Sequence, residues 1–177
     1  MTFEYRIRRA VPSDRDAIVS FQRAAIAHLP VDVYPLPLLQ AWWRNPDRAL
    51  ESMLAAGRYF VGAYRGRLVG GAGWEPSDGW QPTAVVRAVF IDPAHHARGL
   101  GSRMVRRVEE AAVDAGYEMI LVPAPLAVAA FYERLGYVGD DVAGLDPAPG
   151  ISLRCRRMWK QPHGADAAGR DGAAPGQ

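Results

Sequence analysis

Apolar and charged residues alternate first at Tyr5, Arg6, Ile7 and Arg8, the period-two pattern of a half-buried strand, and Pro12 ends it. From Ser13 the period changes. Ser13 and Asp14 offer an N-cap with Asp16 in the first turn, and Ile18, Phe21, Ala25 and Leu29 follow at helical spacing, which predicts a helix from Asp14 to His28. The stretch from Pro30 to Pro46 is rich in proline and carries Tyr34, Trp42 and Trp43; it reads as irregular at first and helical from Pro37 on. Arg58 to Arg65 and Arg67 to Trp74 are apolar runs on either side of Gly66, the signature of an antiparallel hairpin. A turn from Glu75 to Pro82 leads into the Val-rich run Thr83 to Ile91, completing a three-strand meander.

The clearest helical period follows, in Leu100, Met104, Val105, Val108, Ala111, Ala112 and Ala115, with Gly116 as its C-cap. Met119 to Val122 reads as a short strand broken by Pro123, and Leu126 to Leu135 as a helix stopped by Gly136. Ile151 to Trp159 is the last strand, with Ile151, Leu153 and Cys155 on one face. From Gln161 on, Gly, Ala, Asp and Pro dominate and burial cannot offset the entropy of ordering. The expected organisation is one domain over residues 1–160 and a disordered tail over 161–177.

Composition narrows the function classes. With 49% hydrophobic and 23% charged residues in a chain of 177, a single globular domain with a proper core is expected. No apolar run reaches the roughly 20 residues of a membrane span, and the segment from Met1 to Arg9 is charged where a signal peptide would turn apolar. The single cysteine, Cys155, cannot form an internal disulfide, so the cytoplasm is the expected compartment. A net charge of +2 is too small an excess to point to nucleic acid.

The candidate chemistry starts where the third meander strand ends. Asp92, Pro93, Ala94, His95, His96, Ala97, Arg98, Gly99, Leu100, Gly101 and Ser102 lead directly into the amphipathic helix. A strand that passes through glycines into a helix start presents free N–H groups and the positive end of the helix dipole to an anion. Gly99 and Gly101 let a phosphate approach the main chain, Ser102 adds a hydroxyl, and Arg98, Arg103, Arg106 and Arg107 add positive charge. Two glycines alone serve a tight loop equally well. The spacing fits neither a P-loop nor a dinucleotide fingerprint.

The run His96-Ala97-Arg98-Gly99-Leu100-Gly101 resembles motif A of the GNAT acetyltransferases, which reads Gln or Arg, two variable residues, Gly, one variable residue, then Gly or Ala. His96 stands at the first position in place of Gln or Arg. Ala130-Phe131-Tyr132-Glu133-Arg134-Leu135-Gly136-Tyr137 resembles motif B of the same family, and it is the more specific match. The resemblance implies an α+β fold: a central, mostly antiparallel twisted sheet of six to seven strands, flanking helices and a splayed cofactor cleft. It implies acetyl-CoA as cosubstrate, its pantetheine arm paired with the backbone of Val89, Phe90 and Ile91 and its pyrophosphate held by Ala97, Arg98, Gly99, Leu100, Gly101 and Ser102.

Amide formation from a thioester expels a thiolate, whose conjugate acid has a pKa of about 8.5, so a proton donor helps it leave. The resemblance puts Tyr132 in that role; packing against Phe131 and Leu135 is the alternative. An amine with a pKa of about 10.4 must also lose a proton before it attacks. Many relatives carry a glutamate on the strand before motif A, where this chain has Val85, Val86 and Arg87. Glu75, then Asp78 and His28, are the remaining candidates, each equally explained as a solvated surface group. His95 and His96 lack a third ligand at metal spacing, so no metal is expected, and Cys155 sits on a strand face that reads as buried.

The expected activity is N-acetylation of a primary amine on a small molecule or peptide, by direct attack in a ternary complex, with Leu29 to Trp43 shaping the acceptor pocket. A non-catalytic module that binds acyl-CoA or a small ligand is the alternative reading. The sheet edge leaves homodimer pairing open, and neither nucleic acid nor membrane is expected as a partner.

Overall fold

The computed structural model describes residues 4–44, 49–77, 81–148 and 151–162. Seven strands form one mixed sheet in the order β1-β2-β3-β4-β5-β7-β6. They are β1 (Arg6–Arg9), β2 (Tyr59–Tyr64), β3 (Arg67–Ser77), β4 (Thr83–Ile91), β5 (Met119–Pro125), β6 (Val142–Ala148) and β7 (Ile151–Lys160). Five helices flank it: α1 (Arg15–Ala27), α2 (Leu36–Arg44), α3 (Leu50–Ala55), α4 (Leu100–Asp114) and α5 (Ala129–Arg134). Every strand pair is antiparallel except β4–β5, which runs parallel. This is the mixed sheet with flanking helices that the resemblance implies.

Side-chain alternation divides the interior between the two faces of the sheet. Phe60, Val69, Trp74 and Val86 point to the face covered by α4 and α5, where they meet Leu100, Met104, Val105, Val108 and Tyr132. Tyr59 and Val61 point the other way, against Ile18 and Phe21 of α1 and Met53 of α3. A third cluster joins Ile26, Tyr34, Leu38 and Leu39 to Leu153 and Cys155 of β7. In α4, Leu100, Met104, Val105 and Val108 are all fully buried, and each contributes about 2 kcal/mol of apolar burial. Gly116 ends the helix at φ 89°, with its N–H on Val113 and that of Tyr117 on Ala112. Lys160 at the end of β7 ties the strand back to α4 through Glu109, 2.9 Å away.

Several local expectations change. Asp14 does not cap α1 with its side chain. Its carboxylate instead takes two bonds from Arg8, at 2.6 and 2.8 Å, and one from the N–H of Val11, at 2.9 Å. The Arg8 guanidinium holds that carboxyl below the usual carboxylate range. The helix expected over Leu126 to Leu135 is a 3-10 turn, Leu126–Val128, followed by the six residues of α5. Both α3 and β6 lie where no element was expected. The tail beyond residue 162 lies outside the described residues.

Pro123 does not break β5, and the register explains why. The N–H of Arg157 bonds to Asp141, and Trp159 pairs both ways with Val138, so odd-numbered main-chain groups of β7 face β6 and not β5. Pro123 lies opposite Arg157, so its nitrogen faces β4. The β4–β5 ladder has already ended there, at the pair Val85–Leu121. A missing donor at that position therefore leaves no ladder bond unmade.

Candidate active site

The parallel ladder between β4 and β5 consists of three pairs, Thr83–Met119, Ala84–Ile120 and Val85–Leu121. Beyond them the two strands lose contact, and the edge of β4 that faces β5 has no strand partner. This opening in the middle of the sheet is where the two motifs meet. The loop that follows β4 lies at its mouth, and α5 with Tyr132 packs beside it.

Asp92 caps the 3-10 turn Pro93–His95 by accepting from the N–H of Ala94 at 2.9 Å. His96 Nε2 lies 2.9 Å from the carbonyl of Ile91 and therefore donates to it. The residue at the first motif position thus closes the loop onto its own strand. His95 turns the opposite way, with Nδ1 3.0 Å from the hydroxyl of Tyr5 on the far side of the loop. The adjacent histidines therefore diverge, and among the described residues no group of three or more His, Cys, Asp or Glu side chains converges as a metal site would.

Ala97 and Gly99 both have left-handed φ, 55° and 79°. Turns of this kind aim successive N–H groups at one point. Gly99 is the N-cap of α4 and makes no side-chain cap bond; no acidic residue occupies the first turn. The first intrahelical N–H is that of Arg103, on the carbonyl of Gly99 at 3.2 Å. The N–H groups of Leu100, Gly101 and Ser102 precede it and are left for a ligand. A Cβ added at Gly101 would point between Phe131 and Ile91 at ordinary contact distances, 3.5 and 3.7 Å, and one at Gly99 would meet nothing within 4 Å. Packing therefore does not require glycine at 101, and the space beside Gly99 is open. The residues fit a pyrophosphate.

The other predicted residues divide. Val89 and Ile91 pack on the main core at the open edge, but the N–H of Asp92 bonds to Val69, so the even-numbered main-chain groups face β3 and Phe90, opposite Gly71, is not part of the free edge. Leu100 offers only its N–H, its side chain being fully buried. Two of the four arginines turn away: Arg103 donates to the carbonyl of Tyr5 at 3.1 Å, and Arg107 pairs with Glu110 at 3.3 Å.

Tyr132 is buried, with its ring edge-on to Phe131 at 5.0 Å and Tyr137 at 5.6 Å. Burial, reinforced by nearby Tyr34, pushes its phenol well above the ordinary tyrosine range. It is therefore protonated at neutral pH. Tyr34 itself is buried and also shifted upward, first by burial and then by Cys155. Its nearness to Tyr132 was not readable from the chain. Glu75 is half-buried; it accepts from the hydroxyl of Ser52 at 3.2 Å and pairs with Arg87 at 3.6 Å. His28 is exposed and donates from Nδ1 to the carbonyl of Ala24 at 2.8 Å, while Asp78 lies outside the described residues. Cys155 is buried and its thiol is pushed up to about 11, which makes it inert as a nucleophile.

Comparison with solved structures returns many similar folds. A GCN5-related N-acetyltransferase from Rhodopseudomonas palustris superposes with a TM-score of 0.74 at 22% identity, covering 91% of this chain and 98% of that one. The structure of yncA from Salmonella typhimurium, with its cofactor acetyl-CoA, has a TM-score of 0.64 at 22% identity, covering 93% and 99%. A polyamine N-acetyltransferase from Drosophila melanogaster, which forms N-acetylagmatine, has a TM-score of 0.67 at 19% identity, covering 89% and 100%. Comparison with curated proteins finds no match. The family model of the acetyltransferase (GNAT) family matches residues 23–137, more than half of the sequence. The split sheet, the anion-ready start of α4 and this match agree, and the chain belongs to the GNAT acetyltransferase family.

Proposed function

We propose that the protein transfers the acetyl group of acetyl-CoA to a primary amine on a small molecule or peptide, by direct attack within a ternary complex. The observation that carries this reading is the run of unbonded N–H groups at Leu100, Gly101 and Ser102, set at the mouth of the β4–β5 opening beside a buried, protonated Tyr132. Acetyl-CoA, when bound, supplies the activated acetyl thioester. The main chain from Ala97 to Ser102, with the Arg98 and Ser102 side chains, holds the pyrophosphate. The free edge at Val89 and Ile91 orients the pantetheine arm as an added strand would. Tyr132 donates a proton to the departing sulfur, and Glu75 accepts the proton of the amine through water. Tyr34 and Trp42, from the connection after α1 and from α2, shape the acceptor side.

The engagement of Glu75 by both Ser52 and Arg87 favours a second reading, a module that binds acyl-CoA without turnover. Two measurements separate the readings. Calorimetric titration with acetyl-CoA gives saturable binding under both. A panel of polyamines, aminoglycosides and N-terminal peptides, assayed for release of free thiol, gives turnover with at least one amine under the first reading only. Absence of saturable binding would sink both.

A further inference from the structure

The register between β3 and β4 slips once. Gly73 pairs with Arg87 but Gly71 pairs with Phe90, so three residues of β4 span what two residues span on β3. The extra residue is a bulge centred on Ala88, whose φ of 50° is left-handed and strained for a residue with a Cβ. The slip changes which main-chain groups face the opening. The N–H of Trp74 bonds to Arg58, on the β2 side, so Gly73 and its partner Arg87 face each other across the β3–β4 ladder. After the bulge, the N–H of Asp92 bonds to Val69 at 2.8 Å, so even-numbered residues now face β3. Without the extra residue, Val89 and Ile91 would turn their polar groups into the ladder. With it, they turn them into the opening.

One side chain is bonded to this bulge. Tyr59 is fully buried, and its hydroxyl donates to the carbonyl of Ala88 at 3.2 Å. The same hydroxyl accepts from Nε2 of Gln22, also fully buried, at 3.1 Å. The ring reaches the bulge because β3 leaves room for it: a Cβ at Gly71 would lie 2.6 Å from the Tyr59 hydroxyl, and one at Gly73 would lie 2.6 Å from its ring.

We propose that Tyr59 is a positioning residue for the cofactor: with Gln22 behind it, its hydroxyl holds the carbonyl of Ala88 in the left-handed bulge that turns Val89 and Ile91 toward the pantetheine arm. This rests on the cofactor reading above.

The test is the dissociation constant for acetyl-CoA, measured by calorimetry on the wild-type chain, Tyr59→Phe, and Tyr59→Phe combined with Ala88→Gly, with thermal melts to verify folding. Tyr59→Phe keeps the ring and removes the bond; we expect binding about ten-fold weaker, the effect of one buried hydrogen bond. Glycine adopts a left-handed φ without help, so the double variant recovers affinity to within about three-fold of wild type. A role in packing alone gives no such rescue. If the wild-type chain binds no acetyl-CoA, the cofactor reading itself fails. If it binds and Tyr59→Phe binds equally well, or if the loss persists in the double variant, this inference fails while the cofactor reading stands. Should Tyr59→Phe not fold alone, the double variant decides: near-wild-type affinity supports the proposal and a ten-fold loss overturns it.

Discussion

Tyr132 is enclosed by Phe131 and Tyr137, and burial keeps its phenol protonated well past neutrality. Tyr132→Phe keeps the ring but removes the proton, so kcat should fall by about 100-fold with little change in KM for acetyl-CoA. Steady-state kinetics that return the wild-type kcat would remove Tyr132 from the acid role. Gly101 separates ligand geometry from fold geometry. Its would-be Cβ meets only ordinary contacts, so Gly101→Ala should melt within about 1 kcal/mol of wild type, yet on the proposed cofactor reading bind acetyl-CoA about ten-fold more weakly because the methyl group fills the gap between Phe131 and Ile91 beside the main chain that meets the phosphate. A titration showing unchanged affinity would place the pyrophosphate elsewhere. Both residues stood out in the chain as candidates because each belongs to a contiguous motif. Tyr59, Gln22 and Ala88 did not, since their association depends on strand register and on a ring lying across three strands.

Among the elements, α4 and the β2–β3 hairpin were legible because period and boundary signals agree, although β3 runs on through Glu75 and Pro76 to Ser77, where a turn was expected, because these residues pair with β4. Leu100 to Val108 repeat at helical spacing up to a glycine stop, and Arg65 and Gly66, at φ 50° and 80°, form the tight turn that joins two apolar runs. The element α3 escaped because it is six residues long and its N-cap is Ala49, which supplies no side-chain cap. The strand β6 contains Gly144, Asp146 and Pro147, poor strand formers; Gly144 pairs with Arg154 of β7, while Asp146 and Pro147 fall where the register shifts. Proline misled at β5 for a related reason, since its effect depends on which neighbour its nitrogen faces. The pair between Glu109 of α4 and Lys160 of β7 supplies the test at this scale. Glu109 is buried and Lys160 partly buried, so Lys160→Met leaves a carboxylate without its partner and should destabilise by about 2 kcal/mol. Arg15→Met, which removes the exposed pair with Glu51, should change stability by about 0.5 kcal/mol or less. Urea titration distinguishes the two, and equal effects would mean that the buried pair is no stronger than the surface one.

For the whole molecule, pH offers a further handle through Cys155. Burial lifts its thiol from an ordinary 9.0 to about 11. In the unfolded chain the thiol ionises first, so the stability it contributes is complete below pH 9 and is lost as pH rises toward 11. Unfolding midpoints in urea should therefore hold steady up to about pH 9 and decline above it, less steeply in Cys155→Ala. An equally steep decline in the variant would assign the effect to other groups. The architecture was legible as a whole because the order of strands and helices matches the family pattern, whereas the packing of Tyr34 with Leu153 and Cys155 joins segments distant in sequence.

The three-pair ladder between β4 and β5 makes the sheet two half-sheets joined at a short seam. A ligand held by the N-terminus of α4 and the free edge of β4, with Tyr132 of α5 against it, adds contacts on both sides of that seam. Binding that requires the native seam shifts the folding equilibrium, by about 2.7 kcal/mol when ligand is present at one hundred times its Kd. On the proposed cofactor reading, amide hydrogen exchange in Val89, Ile91 and the facing part of β5 should slow as acetyl-CoA rises, and the resistance of this protein to unfolding should track the abundance of acetyl donor around it.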